Sequence, residues 1–93
     1  MHALFVTAHI DPGRNEEEGM RFLESEVLPM LREIPGVVGG YWLATKDSKS
    51  LAVVLFDNEG AAAHMAEVGL PQAPPPPGAT LGDIQVREVI AHL

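Results

Sequence analysis

Four histidines, one tryptophan and one tyrosine carry most of the chemistry open to this chain. His9 and His64 stand well inside the sequence. An imidazole titrates near about pH 6.5, so either could take a proton from a substrate at neutral pH. Tyr41 and Trp42 are adjacent and offer stacking surfaces with a polar tip. Thr7 lies two positions before His9, and if both are on a strand they share a face. Each residue also has a structural reading. His64 could sit on a helix surface or a dimer edge, His9 could cap a strand end, and a large aromatic pair could equally fill a core or an interface. His2 and His92, near the termini, are read as solvated.

Much chemistry is excluded at once. There are no cysteines, which removes disulfides, thiolate zinc sites, iron–sulfur clusters and cysteine nucleophiles. No pair of histidines has the H-E-x-x-H spacing, so no metal site is expected, and no cofactor. The G-x-S-x-G elbow, the P-loop and the G-x-G-x-x-G fingerprint are all missing. Six Lys plus Arg against 13 Asp plus Glu give a net charge of −7, which argues against nucleic acid and anionic membrane as partners. The first residues lack the pattern of a signal peptide, and no apolar run reaches the length of a membrane span, so a cytoplasmic location is expected.

The elements that must position these side chains can be read from periodicity. Residues 3–10 form an apolar run ended by Asp11-Pro12-Gly13 and read as a strand. From Asn15 the period changes: Met20, Leu23, Val27, Met30 or Leu31, and Ile34 recur every three or four residues, which predicts an amphipathic helix. Asn15 can cap it, with Glu18 three positions on, and Glu16, Glu17 and Glu18 meet the positive end of the helix dipole. Pro29 should kink this helix and Pro35-Gly36 should end it. Residues 37–45 and 51–56 read as an antiparallel pair of strands joined by a polar connection of about four or five residues, and Gly39-Gly40 marks a bulge or a close backbone approach. A second helix is expected over 58–68, with Gly69 as its stop. The run Pro74-Pro75-Pro76-Pro77 reads as a stiff loop that could cover a pocket mouth. Residues 82–93 close the chain as a last strand.

This order, β-α-β-β-α-β in one domain over residues 1–93, predicts an α+β ferredoxin-like antiparallel sheet with two helices on one face. Both periodic sets of the strands are apolar: Phe5, Thr7, Trp42, Val53 and Leu55 in one, and Leu4, Val6, Tyr41, Leu43, Val54 and Phe56 in the other. Two helices cover one face only. The second face would leave an apolar patch larger than monomers usually carry, and a chain of this length is short of burial when alone, so a homodimer is expected.

The stretch Gly36-Val37-Val38-Gly39-Gly40-Tyr41-Trp42-Leu43 after Pro35, followed by Val53-Val54-Leu55-Phe56-Asp57-Asn58 and Ala63-His64-Met65, resembles the dimeric α/β-barrel superfamily, in particular small antibiotic biosynthesis monooxygenase-like domains. The resemblance implies two ferredoxin-like subunits with sheets face to face, and a ligand in the barrel or in a cleft between sheet and helices. It implies His64 and His9 as candidate catalytic residues and Trp42, Tyr41, Thr7 and Phe56 as candidate ligand-binding residues. The haem-degrading branch has an Asn on the first strand, a Trp at the end of the third and a His on the second helix. Here His64 matches, but Phe56 replaces the Trp and the first strand has no Asn, which argues against haem cleavage.

Three functions follow as expectations. The first is a homodimeric protein holding a small apolar or aromatic ligand near Trp42, His9 and His64. The second is a cofactor-independent monooxygenase acting on a phenolic or polyketide-like substrate with a histidine as base. The third is a structural interaction module whose barrel is filled by its own side chains.

Overall fold

A computed structural model describes residues 1–74 and 76–93. Four strands, β1 (His2–Ile10), β2 (Val37–Lys46), β3 (Lys49–Phe56) and β4 (Ala79–Glu88), form one antiparallel sheet in the order β2-β3-β1-β4. Two helical segments, α1 (16–32) and α2 (59–72), pack on one face of it. The fold is therefore α+β with the ferredoxin-like element order expected from the sequence.

Both helices begin as the cap residues dictate. Asn15 Oδ1 accepts from Glu18 N–H (3.2 Å) and Asn58 Oδ1 from Ala61 N–H (2.8 Å), satisfying one of the orphan donors at each start. Both helices are then interrupted by the same device. In α1 the regular turns Glu16–Phe22 give way to a π-helical stretch, Leu23–Val27, before the helix resumes at Leu28–Arg32. Pro29 has no N–H for the Ser25 carbonyl and its ring crowds that oxygen. The turn widens instead, and Leu28 N–H reaches back five residues to Leu23 O. In α2 the turns Glu59–His64 lead into Met65–Gly69, where Leu70 N–H bonds Met65 O just before Pro71. The helix thus runs to Gln72, past the stop expected at Gly69, whose φ of −61° is right-handed helical. Glycine ends a helix when it turns left-handed, as Gly36 does after α1 at φ 95°.

The β2–β3 connection is tighter than the four or five residues expected. Asp47 and Ser48 both have positive φ (52° and 62°), the signature of a two-residue type I′ turn. Its tip is tied down, since Ile10 N–H donates to Ser48 O at 2.8 Å. The last strand begins at Ala79 and ends at Glu88, earlier at both ends than residues 82–93. One bond carries the chain further, from Val89 N–H to Met1 O, and Ile90 beyond it is 92% exposed.

Cross-strand partners share a face, so the register assigns each side chain. Under the helices lie Leu4, Val6, Val54, Phe56, Trp42, Ile84 and Val86, packed with Leu31, Ala62 and Met65. Phe56 and Leu4 are the largest fully buried side chains, at 0% and 1% exposure. The opposite face carries Phe5 beside Val53, Val53 beside Tyr41, and Leu51 beside Leu43. The two periodic sets therefore exchange their β2 members: Trp42 belongs with Leu4 and Val54, and Tyr41 with Phe5 and Val53. β4 adds Gln85 and Arg87 to the open face, so its apolar part lies over β2, β3 and β1.

Irregular register in β2 (at Val37/Gly39 and Leu43/Lys46) and between β1 and β4 (at Val6/Ala8) marks bulges, which bend strands and increase twist. Among the described residues, no helix is long and apolar enough to cross a membrane.

Candidate functional site

The end of α1 and the start of β2 diverge from one corner, and a cleft of ≈ 370 Å³ opens between them. Its helical wall is Leu28, Leu31 and Arg32, from the segment that follows the π-helical turn. Its floor and far wall are Val37, Val38, Gly39, Gly40 and Trp42. The volume lies at the lower end of the roughly 300–1,000 Å³ of small-molecule pockets.

Gly40 has a local reason to be glycine. A Cβ there would come within 3.0 Å of a ring carbon of Trp42 and 3.1 Å of the Val53 carbonyl oxygen. The indole therefore lies back over the bare backbone of Gly40, two positions away on the same face. Trp42 thus adds a partly buried aromatic side chain to the lining of the cleft. Val38 stands at the mouth with 56% of its surface exposed, while Leu31 is buried behind it.

A second hollow of ≈ 420 Å³ lies on the outer surface of α1 along Glu16, Glu17, Met20, Arg21 and Glu24. It is larger but is made by the solvated face of one helix, with Met20 as its only apolar side chain. The cleft beside β2 is walled by two elements and is mainly apolar, which is the character of a ligand site.

The structure separates the residues that the sequence offers as a site. Trp42 alone lines the cleft. Phe56 is fully enclosed in the core beneath the helices. Tyr41, Thr7 and His9 share the open face of the sheet by register. The Thr7 hydroxyl accepts from Asp83 N–H at 2.8 Å, so it satisfies the backbone donor freed by the β1–β4 bulge. His9 is exposed at the end of β1, opposite Lys49 and Thr80. His64 is exposed on α2 between Ala62 and Met65, the two buried side chains that face the sheet. The two candidate bases thus lie on opposite sides of the sheet, and neither lines the cleft.

His2 departs from its expected solvated state. Its side chain is largely covered, with Nε2 3.9 Å from Glu59 Oε2 and Nδ1 buried without a partner. Arg87 on the open face donates from Nε and Nη2 to Gln85 Oε1 (3.3 and 3.0 Å). The C-terminal end of the proline loop is tied to the connection between β1 and α1: Asp11 N–H donates to Gly78 O, and the Arg14 side chain packs against Gly78. Pro75, in the middle of that run, lies outside the described residues. No described residue of the loop lines the cleft. Among the described residues, no group of three or more His, Asp or Glu is placed to hold a metal ion.

Arg32 is the functional candidate that sequence reasoning passes over. It reads as a polar residue on the solvated side of a helix, and only the fold brings it to the rim of an apolar cleft. In comparisons with known proteins, the chain matches no family model and no curated protein.

Proposed function

We propose that this chain binds a small apolar or aromatic ligand in the cleft between α1 and β2, and that it does so as a homodimer of the dimeric α/β-barrel kind, in the cytosol. The observation that carries the ligand reading is the cleft itself, with the Trp42 ring close against Gly40 and Leu28, Leu31 and Val37 also lining it. A flat apolar molecule entering there would stack on the indole and displace water from apolar walls, the two terms that dominate such binding. None of the side chains lining the cleft can accept a proton near neutral pH. His9 and His64 lie elsewhere. This favours binding over monooxygenation, which would need a base beside the substrate.

The homodimer is supported by the open face. Tyr41 is 65% and Leu43 53% exposed there, next to Phe5, Leu51, Val53 and Leu55. A four-strand face eight residues long measures roughly 27 by 19 Å in projection. With side-chain relief added, that is of the order of the ~800 Å² each partner gives to a standard interface. A second copy brings the same apolar surface to meet it, and the buried core of one chain is small enough to gain from it.

The ligand reading is tested by a screen of aromatic fragments against the isotope-labelled protein. The expected result is saturable shifts of the Gly39 and Gly40 amides and the Trp42 indole N–H. Fragments that shift only open-face residues, or none that shift the cleft, would overturn it.

A further inference from the structure

The charge around the Trp42 cleft narrows the class of molecule it takes, given that the cleft is a ligand site. The chain has 13 Asp plus Glu and only six Lys plus Arg. No carboxylate lines this cleft, and Arg32 is its one ionisable residue. The hollow on the outer face of α1 shows the opposite pattern, with Glu16, Glu17 and Glu24 around Arg21. Among the described residues no Lys or Arg lies within pairing distance of a carboxylate, so the Arg32 guanidinium is unpaired.

We infer that the cleft selects aromatic anions: a flat ring system lies against Trp42 and its carboxylate or sulfonate is held by Arg32. A guanidinium presents parallel N–H donors that match two anionic oxygens, and it also packs against ring faces. Arg32 is exposed at the cleft rim, so the strength of that contact comes from its paired hydrogen bonds more than from exclusion of water. No carboxylate is near enough to pair with Arg32, although Glu33 is its neighbour in sequence, and charges more than about 8 Å away are largely screened at physiological salt. Arg32 also stands in the last turn of α1, where any cation meets the helix C-terminal carbonyls. A purely structural role there would not distinguish between ligands.

The test uses two probes with the same anilinonaphthalene body, 8-anilinonaphthalene-1-sulfonate and the neutral N-phenyl-1-naphthylamine. Binding is read from probe fluorescence and located by the Gly39 and Gly40 amide shifts. The sulfonate is expected to bind about tenfold more tightly, the scale of one charge-assisted hydrogen-bonded contact. Arg32→Gln should abolish that preference while leaving the neutral probe unchanged. Arg32→Lys, which keeps the charge without the planar fork, should retain part of it. Arg87→Gln, on the open face, should leave it intact. Equal affinities for the two probes, both shifting the cleft amides, would overturn the anion preference and leave the ligand site standing. A preference lost in Arg87→Gln instead of Arg32→Gln would also overturn it. If neither probe shifts the cleft amides, the ligand site falls and the anion preference with it.

Discussion

The two faces of this sheet are built from similar residues and end in different states. On one, Leu4, Val54 and Phe56 lie under α1 and α2 and are almost wholly removed from water. On the other, no helix covers Phe5, Val53, Leu55, Tyr41 and Leu43; the first three are only partly buried, and Tyr41 and Leu43 keep more than half their surface. Apolar side chains therefore do not decide by themselves what is core. The connections do, because both crossovers in a β-α-β-β-α-β chain fall on the same side. The covered side then splits again: over β1 and β3 the helices pack on the core, and at the start of β2 the cleft opens between that strand and the end of α1.

That contrast can be broken at its strongest point first. Phe56→Ala removes a fully enclosed ring and should destabilise the chain by about 3–5 kcal/mol, read as a lower midpoint in urea. A loss below about 1 kcal/mol would mean that the covered face is not the core.

On the open face, Tyr41→Ser combined with Leu43→Lys should leave far-ultraviolet circular dichroism unchanged at protein concentrations where the fold persists, and should shift sedimentation toward the single chain. Unchanged association would show that this face is not where copies meet.

Smaller effects sharpen the boundary between the faces. Thr7→Val removes the acceptor for Asp83 N–H at the bulge and should cost about 1 kcal/mol. Ser48→Gly relieves a positive φ in the type I′ turn and should stabilise the chain by about 0.5–1 kcal/mol. Thermal melts measure both, and a destabilising Ser48→Gly would contradict the turn geometry.

The sequence made the architecture legible where local rules act alone. Asn15 and Asn58 announce the helix starts, Pro29 announces the disturbance in α1, and the polar residues after Thr45 announce a hairpin. It was less legible where two rules compete. Gly69 reads as a stop, yet the extra residue of the π-helical turn before Pro71 lets the helix continue through it. Asp47-Ser48 lacks the usual Asn-Gly of a two-residue turn, so the connection looked longer.

The side assigned to Trp42 failed for a different reason. Numbering fixes alternation within a strand, but only register and bulges fix it between strands. The site was the least legible part. Its walls come from α1 and β2, and Arg32 looks like an ordinary surface residue until the two converge. Histidines draw attention by type, but His9 and His64 end on different sides of the sheet.

The central claim is that the uncovered face is completed by a second copy while the covered face keeps the ligand cleft. Sedimentation equilibrium of the unaltered protein at micromolar concentration tests it most directly. The predicted result is a species of about 20 kDa, twice the 10.0 kDa chain, that dissociates when Tyr41 and Leu43 are replaced. A stably folded 10.0 kDa species with Tyr41 and Leu43 still in water would contradict it.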